Sequence, residues 1–82
     1  MTLRQTLQLI DAWEGVEVIE AYKYTTKTIM TRDHRSGLIR DLEDSKYAKL
    51  LDHNVKFIDS GWSKDWSWIR VYVDHYTDGM VR

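Results

Sequence analysis

Residues 66 to 73, WSWIRVYV, constrain the fold of this chain more than any other stretch, because their character alternates with a period of two. Successive side chains of a β-strand point to opposite faces. Ile69, Val71 and Val73 therefore fall on one side, and Trp66, Trp68, Arg70 and Tyr72 on the other. The aliphatic side suits a core. An aromatic row with an arginine in it requires some other cover: solvent, a returning tail, a second copy of the chain or a partner. The surrounding GWSKDWSWIRVYVDHY, residues 61 to 76, holds three of the four tryptophans and two of the five tyrosines, so the question concerns half of the chain's ten aromatic residues.

The other elements follow from shorter signals. Thr2 opens TLRQ, a capping box in which the hydroxyl accepts from the amide three residues on and Gln5 reaches back. A helix is expected from there, with Leu3, Leu7 and Ile10 on one face, Trp13 near its last turn and Gly15 at or beyond its end. VEVIEAYKYTTKTIMT then reads as two antiparallel strands, about 16 to 23 and 27 to 32, reversing at Thr25-Thr26. DHRSG, 33 to 37, is a loop, and LIRDL, 38 to 42, fits either the end of a strand or the start of a helix. A second helix is expected at 45 to 53, with Ser45 and Asn54 as caps, followed by a short strand at 55 to 58 and a turn at DSGWSKD. The order is α-β-β-α-β-β. It implies an α+β domain, a four-stranded largely antiparallel sheet with two helices on one face.

A chain of 82 residues makes a single domain, 1–82, with a thin core, and residues 75–82 read as a loose or covering tail. Its 43% hydrophobic and 30% charged residues place it among ordinary globular proteins. No apolar run approaches the roughly 20 residues that span a bilayer, and the start lacks the features of a signal peptide, so a cytoplasmic protein with no membrane partner is expected. The absence of cysteine excludes disulfides, zinc–thiolate sites and thiol nucleophiles. A net charge of −1 excludes both a strongly basic nucleic-acid binder and a highly acidic mimic of DNA.

Candidate functional residues form three groups. The aromatic row of Trp66, Trp68, Arg70 and Tyr72, extended by Tyr22 and Tyr24, has the composition of an interface hot spot. Alternatively a homodimer or the tail buries it. Lys23, Lys27, Arg32, Arg35 and Arg40 face only Asp33 within residues 21 to 40; they are either a solvated hairpin balanced by the acidic stretch before it or a grip for phosphates beside stacking aromatics. His34, His53 and His75 each adjoin an aspartate but lack a paired metal-ligand spacing, and no nucleophile elbow or phosphate-binding glycine pattern is present. No cofactor, metal or catalytic residue is expected.

TLRQTLQLID, VEVIEAYKY, SGLIRDL, YAKLLDHNVKFID and WIRVYV together resemble small α+β accessory proteins of phages and prophages of Gram-positive bacteria, over roughly residues 2 to 74. Gly37, Ile39, Asp41 and Leu42 match the family's middle segment, and Leu50, Leu51, Asp52 and Val55 the end of its short helix. The tryptophan-rich SGWSKDWSW and the tail depart from it. The resemblance implies a non-enzymatic protein that binds and inhibits a host or defence factor in the bacterial cytoplasm, as anti-CRISPR proteins do, with the RNA-guided nuclease of a type II system as the partner class. The competing expectation is a small nucleic-acid-binding accessory protein that uses the basic hairpin and exposed aromatics.

Overall fold

The computed structural model describes residues 1–63 and 66–74, with side chains at all of these except 62, 63, 66 and 67. Helix α1 covers Leu3–Leu9, strand β1 Gly15–Ala21, β2 Thr26–Arg32, helix α2 Leu38–Glu43, a 3₁₀ turn Ala48–Asp52, β3 Val55–Ser63 and β4 Trp66–Asp74. The fold is α+β, with a four-stranded sheet of order β2-β1-β4-β3. Each hairpin is antiparallel, and the two hairpins meet through a parallel β1–β4 pair, so the sheet is mixed but mostly antiparallel.

Local chemistry accounts for the boundaries. Both halves of the Thr2 capping box form: the Thr2 hydroxyl accepts from the Gln5 amide at 3.2 Å, and the Thr2 amide donates to the Gln5 side chain at 2.9 Å. Helix α1 then stops at Leu9, earlier than the expected last turn at Trp13, because Ile10 turns to an extended conformation and caps the helix. Residues beyond it are held by the other loop: the Arg35 and Ser36 amides donate to the carbonyls of Glu14 and Ala12, and Arg35 Nε donates to that of Ile10. These bonds draw the chain away from the helix axis, and Gly15 begins β1 instead of capping α1.

LIRDL resolves to helix. Gly37 precedes it at φ 84°, a left-handed conformation that costs an L-residue roughly 1–2 kcal/mol and glycine almost nothing. The segment expected as the second helix is the 3₁₀ turn, capped by Tyr47 and His53 and not by Ser45 and Asn54. Ser45 instead stitches the junction, donating to the Leu42 carbonyl at 2.8 Å and accepting from the Tyr47 amide at 3.0 Å. The expected turn at DSGWSKD is largely strand, since β3 continues to Ser63 in antiparallel register with β4. Strand β1 ends at Ala21, two residues short of its expected limit, where the Tyr22 amide donates to the Thr25 carbonyl and closes the hairpin turn.

The core follows from the alternation in β4. Val71 and Val73 are fully buried with Val16 and Val18 of β1, and they form one cluster with Leu3 and Leu7 of α1, Leu38 and Leu42 of α2, and Leu50 and Leu51 of the 3₁₀ turn. Ile69, Ile10, Ile39, Tyr47 and Val55 pack against it half-buried. Two surface ties complete the arrangement: Arg4 pairs with Glu43 at 2.7 Å between the helices, and Arg32 with Asp41 at 2.9 Å between β2 and α2.

Gly37 gives a direct check on the α2 boundary. No atom lies within 4 Å of where a Cβ would stand, so Gly37→Ala meets no clash and only the backbone penalty applies. The substitution should destabilise the protein by about 1 kcal/mol and Gly37→Asn by clearly less, as read from urea unfolding midpoints.

Candidate functional site

The aromatic row is built by β4, which lies between β1 and β3 and so sets its outward side chains in the middle of the sheet. The parallel register places Glu17 of β1 beside Arg70, and Ile19 beside Tyr72; the antiparallel register places Asp59 of β3 on the other side of Arg70, Phe57 beside Tyr72 and Gly61 beside Trp68. Arg70 Nε donates to Glu17 Oε1 at 3.1 Å, and Thr31 of β2 approaches the second Glu17 oxygen at 3.5 Å. Both members of the ion pair are partly exposed, which holds its contribution to about 1 kcal/mol or less. Its larger consequence is orientation: the guanidinium is held across the sheet.

Gly61 makes that orientation sterically permissible. A Cβ at this position would lie 2.6 Å from Arg70 Cζ and 2.7 Å from one of its terminal nitrogens, so the arginine lies flat over bare backbone. Phe57 and Tyr72 stack, with ring centres 4.2 Å apart and planes 17° apart, and Phe57 remains 51% exposed. Trp68, Arg70 and Tyr72 are half-buried. Ile19 is buried yet stands apart from the main core cluster, as its place on this opposite face requires. The face therefore combines a stacked aromatic pair, a positioned arginine and a carboxylate.

The other expected residues divide between this face and other parts of the fold. The side chain of Trp66 lies outside those described, as do residues 75–82 with His75. Tyr22 and Tyr24 follow the end of β1: the Tyr22 hydroxyl donates to Glu20 at 2.8 Å, while Tyr24 is 88% exposed in the turn. Both nonetheless line one cleft together with Phe57 and Tyr72, so they border the end of the row.

The five basic residues meet different neighbours. Arg32 is bound to Asp41, Arg35 to the Ile10 carbonyl, Lys23 stands 5.3 Å from the Tyr24 ring centre, Lys27 stands 6.0 Å from that of Tyr47, and Arg40 belongs to α2. His34 meets the Trp13 ring edge-on at 5.1 Å, with Nδ1 3.2 Å from the Trp13 carbonyl. His53 ends the 3₁₀ turn, and its carbonyl accepts from the Leu3 amide at 2.8 Å. Among the described residues no three histidine or acidic side chains gather as a metal would need, and no helix is long and apolar enough to cross a membrane.

Sequence reasoning missed Glu17, Phe57, Asp59 and Gly61 as members of the face. Glu17 carried a usable signal, since it occupies the outward position between Val16 and Val18. Gly61 and Asp59 were hidden by reading a turn where β3 continues. Comparison with protein-family models, curated proteins and solved structures finds no match to the chain.

Two measurements test the local chemistry. The hydrogen bond to Glu20, then partial burial and the nearby charge of Glu20, raise the Tyr22 phenol above its ordinary value. A raised folded value means that its stabilisation is complete below about pH 10 and is lost as pH rises through the folded pKa. Phenolate absorbance, taken as the difference between wild type and Tyr22→Phe, should place its midpoint above about 10, and Glu20→Gln should bring it back down. At the face, Gly61→Ala should displace the Arg70 guanidinium at a stability cost below about 1 kcal/mol, because the clashing atoms are the far end of a movable side chain. Slowed solvent exchange of the Arg70 Nε proton in wild type, lost in Gly61→Ala, is the expected NMR result.

Proposed function

We propose that this chain is a non-enzymatic binding protein whose working surface is the sheet face carrying Trp68, Arg70, Tyr72 and Phe57. The observation that carries the reading is the Glu17–Arg70 pair, 3.1 Å apart and partly exposed amid the aromatic residues of the central strand. An arginine already oriented by a neighbour loses less conformational freedom on binding, and Trp, Tyr and Arg are the side chains that dominate interface energies. Half-exposed rings contribute most where a partner completes their burial.

Charge favours protein over nucleic acid as the partner. Arg70 is flanked in register by Glu17 and Asp59, so the face offers phosphates one cation between two carboxylates. Arg32 and Arg35, which a phosphate grip would need, are committed to Asp41 and the Ile10 carbonyl. The nucleic-acid reading, built on Lys23, Lys27, Arg32, Arg35 and Arg40 with Trp66 and Trp68, accordingly ranks second.

For the partner, our proposal follows the phage-protein resemblance: the chain occupies a surface of a bacterial host or defence protein, and the RNA-guided nuclease of a type II CRISPR system is the first candidate. Stoichiometric inhibition of target cleavage by that nuclease, with co-elution of the two proteins, is the expected outcome. Arg70→Ala and Trp68→Ala should each weaken inhibition by about 30-fold or more while leaving the circular dichroism spectrum unchanged. Unimpeded cleavage at equimolar protein would overturn the nuclease assignment. Full inhibition by both variants would overturn the face, and tight, salt-sensitive oligonucleotide binding would transfer the function to the second reading.

A further inference from the structure

The two edges of the sheet are unlike. Strand β2 closes one side with TKTIMTR, a threonine-rich sequence carrying Lys27 and Arg32 and no carboxylate. Strand β3 closes the other: its first residue, Val55, donates its amide to the Met1 carbonyl at 2.9 Å, and along the rest of the strand no further strand lies beyond it among the described residues. Edge strands present unpaired backbone donors and acceptors, and proteins that avoid self-pairing place prolines or clustered charge there. Strand β3 has no proline; its irregularity lies at its start, at Lys56, which pairs with Asp74 of β4 at 3.3 Å, and the register is regular from Phe57 to Ser63, where Asp59 is the one charge. At its centre sit Phe57 and Ile58, 51% and 55% exposed. Register assigns them to opposite faces: Phe57 stands beside Tyr72 on the aromatic face, and Ile58 beside the core valine Val71.

We infer that two copies of the chain associate through the outer edges of β3, antiparallel about a two-fold axis perpendicular to the sheet. That symmetry keeps the aromatic faces of both copies on one side, extends the sheet to eight strands and covers exposed apolar surface on both faces of the seam. Charge selects this occupant and this edge: each β3 carries one cation, Lys56, and one anion, Asp59, so an antiparallel pair sets opposite charges along the seam, whereas a pair of β2 strands joins only cations. The dimer would set two Trp68–Arg70–Tyr72 rows on a continuous surface. It stands independently of the partner proposed above, because self-association is read on the purified chain alone.

Sedimentation of the purified protein over a concentration series is the test. Wild type should pass from monomer to dimer, and Ile58→Lys and Ile58→Asp should each weaken the dimer by about tenfold or more with an unchanged circular dichroism spectrum. Using both signs of charge separates loss of the apolar contact from a change in net charge. Thr28→Lys, on the β2 edge, should dimerise as wild type does. A wild type that remains monomeric throughout, folded Ile58 variants that dimerise normally, or dissociation by Thr28→Lys would each overturn the inference. Should one Ile58 variant fail to fold, the other and Thr28→Lys still decide it.

Discussion

The parallel pairing of β1 with β4 is the constraint on which the rest of the structure depends. It joins the third and last quarters of a short chain to its beginning, with Val16 opposite Ile69, Val18 opposite Val71 and Glu20 opposite Val73. Closing so long a loop costs conformational entropy before any contact repays it. Burial returns the cost, since each fully buried leucine or valine contributes about 1.5–3 kcal/mol and the core cluster draws on both hairpins, both helices and the 3₁₀ turn. Without this one register, the two hairpins would be separate two-stranded units, which are marginal in water.

The same register builds the opposite face. When Val18 meets Val71 on the core side, Glu17 must meet Arg70 and Ile19 must meet Tyr72 on the other. The face thus inherits its rigidity from the core, and the arginine needs no loop to position it. Gly61 contributes by lacking a side chain, which lets the guanidinium lie over β3. A one-residue slip between the hairpins would exchange the two faces, burying Arg70 and exposing Val71. Core packing and presentation of the aromatic row are therefore one structural decision.

What the sequence revealed depended on how local each signal was. The capping box at Thr2, the two-sided character of β4 and the four-strand α+β class were legible because period and capping act within a few residues. The end of α1 was not, because hydrogen bonds from Arg35 and Ser36, more than twenty positions away, decide it. Nor was the length of β3. Gly61 signals a turn when read alone, and only its cross-strand neighbour Arg70 explains a glycine inside a strand. The basic residues are close in sequence, yet Lys27, Arg32 and Arg35 meet neighbours from three separate parts of the fold, Tyr47, Asp41 and Ile10, which sequence proximity does not reveal.

Residue-resolved amide hydrogen exchange tests the primacy of the β1–β4 pair most directly. Amides of Val18 and Ile19 in β1 and of Val71 and Tyr72 in β4 should be the slowest in the protein, exchanging only by global unfolding, with those of β2 faster by local opening. Exchange of the β1 and β4 amides as fast as that of β2, with protection concentrated within either hairpin, would contradict an architecture founded on their pairing.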